Sequence, residues 1–195
     1  MKKFILIGGY PHKAIDSGKA LCEEMIRGFS EPVKILDCLF ARPHENWEKA
    51  YQQDKEFFAK NLPNGELDIE RADPHTFLDQ LERTDVLYFR GGDTGVLMKA
   101  LTQVPSWSEK LDGKTIAGSS AGMDILAQYC FNLDTLQIEG GLGLLPIKTI
   151  PHWKSDYNAP NIDWDIAKQS LSQYKEDLLI VTLGEGEFKV FEVEK

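Results

Sequence analysis

The run Gly118-Ser119-Ser120-Ala121-Gly122 places a serine between two glycines. Residues 114–117 before it predict a short strand, and residues 123–127 after it predict the start of a helix. A serine on such a sharp strand-to-helix turn has its hydroxyl raised clear of the sheet edge, and the first amides of the helix face the position of a developing oxyanion. The pattern therefore indicates that Ser120 is a nucleophile. An ordinary turn is the alternative, because glycine and serine are common in turns.

A serine nucleophile needs a base within hydrogen-bond reach, usually a histidine that a carboxylate orients. The chain has four histidines, which are His12, His44, His75 and His152. His152 follows the predicted strand 148–150, so we expect it at the same sheet edge as the serine. His75 falls in the first turn of a predicted helix, where solvation is expected, and the other two fall in loops. His152 is therefore the preferred base.

Three carboxylates are candidates for orienting the histidine: Asp124, Asp134 and Glu139. Asp134 and Glu139 lie in an irregular stretch between the serine and the histidine. Asp124 lies near the N-terminus of the helix predicted after Ser120, where a negative charge also interacts favourably with the helix dipole. The residues alone do not choose among the three.

The elements that must position these side chains alternate between strands and helices. Strands are predicted at 4–7, 32–37, 66–70, 85–89, 114–117 and 148–150, and helices at 16–29, 46–62, 73–82, 96–101 and 162–174. This alternation is typical of a mainly parallel sheet with helices on both faces. Residues 178–183 and 188–193 flank a glycine-rich turn and predict a C-terminal β-hairpin. In such sheets ligands bind at the carboxyl ends of the strands.

Composition excludes several classes of partner. The formal net charge of −9, with 31 acidic against 22 basic residues, argues against nucleic acid. No apolar run reaches the length of a membrane span, and the run 4–7 is too short for the core of a signal peptide. The three cysteines, Cys22, Cys38 and Cys130, predict buried free thiols in a reducing compartment. We therefore expect a cytoplasmic protein without a membrane partner.

The length of 195 residues predicts a single domain over 1–195. No metal is expected, because no histidine, cysteine or carboxylate cluster has ligand spacing. No nucleotide cofactor is expected either, because Gly8-Gly9 lacks the third glycine and the lysine of phosphate-binding loops. The sequence leaves the oligomeric state open, a homo-oligomer included.

Three motifs in order carry a family resemblance: 88–94 (Tyr-Phe-Arg-Gly-Gly-Asp-Thr), 117–122 around Ser120, and 141–146 leading to Pro151-His152-Trp153. Together they resemble the dipeptidase E and cyanophycinase group of serine peptidases. The resemblance is strong over 85–153 and looser elsewhere. The fold of that group is similar to that of class I glutamine amidotransferases, so it implies a flavodoxin-like, three-layer α/β fold with one domain.

The resemblance implies a role for each matching residue. It makes Ser120 the nucleophile and His152 the general base, and it favours Asp134, after Asn132-Leu133, as the residue that orients the histidine. The backbone amides of Gly92 and Ala121 would form the oxyanion hole, and Gly91, Asp93 and Arg90 would contact the substrate.

The resemblance also implies a short peptide as substrate. An acidic N-terminal residue would need a cation in the pocket, for which Arg90 and Lys154 are candidates, against solvated surface charges as the alternative.

Two other functions stay open on the sequence. The acidic motif before the histidine is weak, which is consistent with a family member that has lost catalysis and binds a small molecule or a partner. An α/β-hydrolase esterase shares the elbow and the order serine, acid, histidine. The short chain and the Gly91-Gly92-Asp93 loop one strand before the elbow count against the esterase.

Overall fold

The computed structural model describes residues 1–158 and 160–194. This part of the chain forms the strands β1 (Lys2–Ile7), β2 (Val33–Cys38), β3 (Leu67–Arg71), β4 (Val86–Phe89), β5 (Thr115–Ser119), β6 (Ala127–Asn132), β7 (Gln137–Gly140), β8 (Leu145–Ile150), β9 (Leu179–Thr182) and β10 (Phe188–Val193). It also forms the helices α1 (Lys19–Ile26), α2 (Trp47–Asn61), α3 (Phe77–Glu82), α4 (Thr94–Thr102), α5 (Ala121–Leu126) and α6 (Trp164–Gln173).

The main sheet has six strands in the order β10-β1-β5-β4-β2-β3. Its strands run parallel except β10, which pairs antiparallel with β1. Side chains alternate between the two faces of a strand, so Phe4 and Leu6 enter one hydrophobic cluster and Ile5 and Ile7 enter another. Both faces are therefore covered, which explains the continuous apolar run of β1.

Helices form the outer layers on the two faces of this sheet. On one face, α1 and α2 contribute Leu21, Met25 and Phe58 to the cluster that contains Ile5. On the other face, α3, α4 and α5 contribute apolar residues such as Leu97 to the cluster that contains Phe4. The expected arrangement, a mainly parallel sheet between two helical layers, is confirmed.

A second sheet of four strands follows helix α5, in the order β7-β6-β8-β9. Strand β8 is parallel to β6 and β9, whereas β7 is antiparallel to β6. Helix α6 packs here through Ala167 and Leu171, against Leu133 and Ile150. The stretch after Tyr129, which the sequence analysis treated as irregular, contains β6 and β7.

The C-terminal strands differ from the predicted hairpin in one respect. Both strands are present, but β9 pairs with β8 in the second sheet and β10 pairs with β1 in the main sheet. The antiparallel pair at the C-terminus is therefore β10 with β1. Residues 183–187 cross from one sheet to the other, and Gly8 and Glu187 join the crossing to the end of β1 by a 3.0 Å hydrogen bond. This crossing lies next to the carboxyl ends of the central strands.

Three central strands bring their carboxyl ends to one edge. Residue pairing places Ile7 of β1 beside Ser119 of β5, and Phe89 of β4 beside Gly118 of β5. The loops that follow β1, β4 and β5 therefore meet at this edge. The three cysteines are buried and free, as predicted. Among the described helices none has the length and apolar content needed to cross a bilayer.

Candidate active site

The turn between β5 and α5 holds Ser120 in a strained conformation, with φ 51° and ψ −111°. The amide of Ser120 donates to the carbonyl of Ile7 at 3.0 Å, which fixes the turn to β1. A Cβ on Gly118 would lie 2.3 Å from the carbonyl oxygen of Gly122, and one on Gly122 would lie 2.4 Å from that of Phe89. Both glycines are therefore required for this close packing of strand and helix. The predicted strand–turn–helix context of the serine is present.

His152 lies against the serine, with 3.0 Å between its Nε2 and Ser120 Oγ. The residue follows β8, and its amide donates to the carbonyl of Gly8 at 2.7 Å. Its ring, which is 3% exposed, stacks on Tyr157 at 4.2 Å between centroids and meets the edge of Tyr10 at 5.2 Å. The predicted pairing of the two side chains is thus found in the structure.

Gly9 makes room for the imidazole. Its φ is +116°, and a Cβ built there would lie 2.2 Å from Cε1 of His152. Of the other histidines, His12 lines the cleft in front of Ser120, which is described below, whereas His44 packs on Trp47. The backbone around Gly9 is therefore shaped for the ring of His152.

The carboxylate on the far side of the imidazole is Glu185. Its Oε1 lies 3.1 Å from Nδ1 of His152, and its Oε2 forms an ion pair with Lys13. Glu185 belongs to the crossing between β9 and β10, and its side chain is 10% exposed. Sequence reasoning missed it because this stretch had been interpreted as the turn of a hairpin. The alternation of glycine and glutamate in 184–187 was the available signal.

None of the three carboxylates that the sequence analysis weighed contacts His152. Asp134 is exposed in the turn between β6 and β7, and its Oδ1 accepts from the hydroxyl of Tyr157 at 2.8 Å. The expected contact between Asp134 and the histidine is therefore wrong. Glu139 accepts a hydrogen bond from Asn132 at 2.9 Å, as part of the β6–β7 pair.

Asp124 is buried beneath the elbow. Its Oδ1 accepts from the hydroxyl of Thr149 at 3.0 Å. Burial raises the pKa of Asp124 well above its ordinary value, which the hydrogen bond from Thr149 only partly offsets. Burial thus favours the neutral form of this carboxyl, and its hydrogen bond with Thr149 joins α5 to β8.

The electrostatic state of the site follows from burial and from Lys13. Burial lowers the pKa of His152 below its ordinary value, against the opposing effect of Glu185. Burial alone would raise the pKa of Glu185, but the hydrogen bonds from Lys13 and His152 outweigh it and lower that pKa. At neutral pH the imidazole is therefore neutral and the carboxylate ionised. With Nδ1–H donating to Glu185, Nε2 carries the lone pair that faces the serine hydroxyl.

Gly91 and Gly92 lie beside the serine after β4. A Cβ on Gly91 would lie 3.1 Å from Cβ of Ser120, and one on Gly92 would lie 2.3 Å from the carbonyl oxygen of Ala41. Ala121 is the first residue of α5, so its amide has no partner within the helix. This geometry allows the backbone to approach a substrate carbonyl closely.

A cleft of about 760 Å³ opens in front of Ser120 and His152. Its walls come mainly from four segments: the loop after β1, the loop after β2, helix α2 and the loop after β4. They contribute Tyr10, Pro11, His12, Ser17, Arg42, Gln53, Asp54, Glu56, Phe57, Lys60, Arg90, Gly91, Gly92 and Asp93, and Tyr88, Ser119, Asp134 and Tyr157 also line the cleft. The volume suits a small ligand of a few residues.

The two cations first expected to bind substrate are occupied elsewhere. Arg90 forms an ion pair with Asp54 at 2.9 Å and donates to Gln53 at 2.8 Å. Lys154 lies over the ring of Trp153, 5.5 Å from its centroid. Asp93 also lines the cleft, but its Oδ1 caps α4 by accepting from the amide of Val96 at 2.8 Å.

Two cleft cations, Arg42 and the exposed Lys60, have no ion-pair partner within the described part of the chain, and Arg42 is the more buried of the two. Its Nε is buried without a hydrogen-bond partner, and no described carboxylate lies within ion-pair distance of its guanidinium. Burial lowers the pKa of Arg42, and the neighbouring Arg90 lowers it further. The cleft therefore presents a positive group that a substrate carboxylate would neutralise.

Two buried carboxyl groups lie behind Arg90. Asp37 is fully buried and neither of its carboxyl oxygens has a hydrogen-bond partner in the described residues. Burial raises its pKa well above the ordinary value, and the charge of Asp54 raises it further. The pKa of Asp54 is raised to about 6, because burial outweighs the attraction of Arg90. Asp54 is the member of the pair that contacts Arg90, and the charge of that arginine opposes the rise in the pKa of both carboxyl groups.

Comparison with known proteins supports the fold described above. In the solved structures, a peptidase from an acI-B1 Actinobacterium superposes with a TM-score of 0.70 at 22% identity, over 98% of this chain and 83% of that one. A putative peptidase E from Listeria monocytogenes EGD-e superposes with a TM-score of 0.65 at 18% identity, over the whole of both chains. At these identities the likeness shows the fold.

The sequence itself shows the family. A search of curated protein sequences finds no match. The model of peptidase family S51, the dipeptidase E family, matches residues 41–192, which include the serine, the histidine and the glutamate described above. The chain therefore belongs to peptidase family S51.

Proposed function

We propose that this protein is a serine peptidase that cleaves short peptides, with Ser120 as nucleophile, His152 as base and Glu185 as the orienting carboxylate. The observation that carries the proposal is the continuous chain of contacts, 3.0 Å from Ser120 Oγ to Nε2 and 3.1 Å from Nδ1 to Glu185. Membership in peptidase family S51 supports a peptidase activity.

The reaction begins when Ser120 Oγ attacks the carbonyl carbon of the peptide bond. His152 takes the hydroxyl proton at Nε2, and Glu185 stabilises the resulting imidazolium at Nδ1. The backbone amides of Gly92 and Ala121 donate to the oxyanion, each worth about 3 kcal/mol of barrier.

The tetrahedral intermediate then collapses to an acyl-enzyme, which water hydrolyses in a second step. His152 gives its proton to the leaving amine, which departs and leaves an acyl ester on Ser120. Water attacks the ester after losing a proton to His152, and the acid product leaves as that proton returns to the serine. The neutral resting state of the imidazole suits both transfers.

For the substrate, we propose a short peptide with a carboxylate that binds Arg42. Arg90 and Lys154 are engaged with Asp54 and Trp153. The Arg42 side chain lies on the cleft wall next to the Gly91–Gly92 loop, since Asp93 donates its amide to Ala41 at 2.8 Å. Because Arg42 and Ser120 line the same cleft, a peptide bound at the serine could place a carboxylate on Arg42.

The presence of Glu185 favours catalysis over a binding module without turnover. The alternative of a binding protein without catalysis rests on the weak acidic motif before His152. A carboxylate from the crossing between β9 and β10 supplies the missing charge without that motif.

Two assays test the activity. The first is labelling by a fluorophosphonate probe, which we expect for the wild type and for Ser172→Ala, a control on α6 whose hydroxyl donates to the carbonyl of Gln169, but not for Ser120→Ala. The second is hydrolysis of a dipeptide panel, which we expect to follow the same pattern. A wild type that neither reacts with the probe nor exceeds Ser120→Ala in hydrolysis contradicts the proposal.

The substrate is tested with Arg42→Met and Arg42→Lys. We expect Arg42→Met to lose about 10- to 100-fold in kcat/KM on dipeptides with an N-terminal aspartate or glutamate, because a charge-assisted hydrogen bond contributes about 1.5–3 kcal/mol. Dipeptides with an N-terminal alanine should be cleaved at an unchanged rate, and Arg42→Lys should recover part of the loss. Equal losses on acidic and neutral dipeptides would rule out this role.

A further inference from the structure

We infer that Lys13 is a positioning residue of this site: its ammonium holds the Glu185 carboxylate against Nδ1 of His152 and brings a positive charge close to the imidazole. The inference rests on the proposed function for its consequence in catalysis. Its physical content, the charge state of His152, is measurable without any turnover.

The two oxygens of Glu185 are divided between two partners. Oε1 lies 3.1 Å from Nδ1 of His152, while Oε2 is paired with Nζ of Lys13. A carboxylate with one oxygen on each partner has a fixed rotation about its terminal bond. Lys13 therefore restricts how Glu185 can present its other oxygen to the histidine.

Lys13 is itself held in place by the loop after β1. Its amide donates to the carbonyl of Tyr10 at 2.8 Å, and its Nζ lies 4.7 Å from the centroid of the Tyr10 ring. The same ring meets the edge of His152 at 5.2 Å between centroids. Lys13 thus belongs to a segment that contacts both the histidine and its carboxylate.

The two loops do not depend on the Lys13 ion pair for their contact. The amide of Gly186 donates to the carbonyl of Gly9 at 2.8 Å, and a Cβ on Gly186 would lie 2.3 Å from the amide nitrogen of Ala14. Backbone packing therefore keeps the loops together, and the Lys13 side chain is 46% exposed. Removing the ammonium should change the charge near the site while leaving the fold intact.

The ionisable groups that face His152 come from four segments. They are Lys13 and Tyr10 after β1, Asp134 between β6 and β7, Tyr157 after β8, and Glu185 between β9 and β10. Both carboxylates favour the imidazolium and Lys13 opposes it. The charge of Asp156 attracts Lys13 and favours its protonated form.

The sign of the effect follows directly. Without Lys13, two carboxylates face His152 with no opposing cation, so the pKa of His152 rises. A smaller fraction of the histidine is then neutral at any given acidic pH, and the acidic limb of kcat/KM moves to higher pH. The pKa of Glu185 rises as well, because it loses its strongest hydrogen-bond donor.

The experiment is an NMR titration of protein with isotopically labelled histidine. The variants are Lys13→Met and Lys13→Arg, and Lys19→Met is the matched control, because Lys19 is a surface lysine paired only with Glu23 at 3.8 Å. A His152→Gln spectrum assigns the His152 signal among the four histidines. Profiles of kcat/KM against pH are then recorded for the same variants.

We expect the His152 pKa to rise in Lys13→Met and to stay near the wild-type value in Lys13→Arg and Lys19→Met. The rate at pH 6 should fall roughly two- to fivefold in Lys13→Met, the size of effect that a partly exposed ion pair exerts. An unchanged His152 pKa in Lys13→Met, or an equal shift in Lys19→Met, overturns the inference. If the pKa shifts as expected while the wild type cleaves no peptide, the proposed function fails and the role of Lys13 stands.

Discussion

Replacing Glu185 by glutamine tests whether Glu185, rather than Asp134, is the carboxylate that orients His152. Glutamine keeps the shape of the side chain and an oxygen that accepts from Nδ1–H, but it removes the negative charge. In the wild type, Oε1 and Nδ1 are 3.1 Å apart, so the charge centres of carboxylate and imidazolium are about 4 Å apart. At an effective dielectric constant of about 20, this pair gains about 4 kcal/mol.

That energy is present in the transition state and absent in the resting state, where the imidazole is neutral. Each 1.36 kcal/mol corresponds to about tenfold in rate, so Glu185→Gln should lower kcat about 10³-fold. Asp134→Asn keeps an oxygen that can accept from the Tyr157 hydroxyl and removes only the negative charge, and we expect it to lower kcat by less than about tenfold.

The assay is kcat on the best dipeptide of the panel, with the labelling rate of the fluorophosphonate probe as a second measure of nucleophile activation. Thermal unfolding of each variant checks that the fold is kept. A large loss in Asp134→Asn together with wild-type activity in Glu185→Gln would refute the assignment of the orienting carboxylate.

Three further predictions follow from the described geometry. The acidic limb of kcat/KM should lie below pH 6.5, because burial lowers the pKa of His152 and keeps the base neutral until the pH falls through that value; a limb above pH 6.5 would contradict this. Gly9→Ala should lower kcat about 100-fold by displacing the imidazole from a site where a Cβ would lie 2.2 Å from Cε1, with unfolding by urea as the check on stability. Asp124→Asn keeps an oxygen that accepts from the Thr149 hydroxyl, whereas Asp124→Ala should cost about 1–3 kcal/mol by leaving that hydroxyl unpaired. Because burial raises the pKa of Asp124 in the folded protein above its value in the unfolded chain, the wild type should lose stability relative to Asp124→Asn as the pH rises from about 4, where the unfolded chain ionises, towards the raised pKa. Urea unfolding at a series of pH values checks this, and an equal pH dependence of the two proteins would contradict it.

Most of the fold was accessible from the sequence because it depends on local patterns. Continuous apolar runs such as 4–7 and 85–89 identify buried parallel strands, and the glycines around Ser120 identify the elbow. His152 was correctly expected near the serine, but its strand β8 belongs to the second sheet rather than to the sheet that carries Ser120. These inferences need only the periodicity and order of the elements.

The role of Glu185 could not be predicted from the sequence, for a different reason. Its position depends on β9 and β10 joining different sheets, and local sequence cannot distinguish two strands that pair with each other from two strands that pair elsewhere. The hairpin interpretation placed this glutamate at a solvated turn. Asp134 was preferred because it precedes the histidine in the expected order, yet its turn faces solvent beside Tyr157.

The pairing of Arg90 with Asp54 was equally hidden. Asp54 lies on α2, thirty-six positions before Arg90 in the chain, and its contact with the arginine arises only when that helix packs on β4. The same packing leaves Arg42 without a carboxylate partner among the described residues. Which cation is free to bind a ligand is thus decided by tertiary contacts.

The order of the site residues along the chain has a consequence for how the site is completed. Ser120 and His152 precede Glu185, which lies in the segment that leads from β9 into β10. A shortened chain that ends before Glu185 keeps the hydroxyl and the imidazole but has no carboxylate at Nδ1 of His152. On the proposed mechanism, such a chain would lack the group that stabilises the imidazolium.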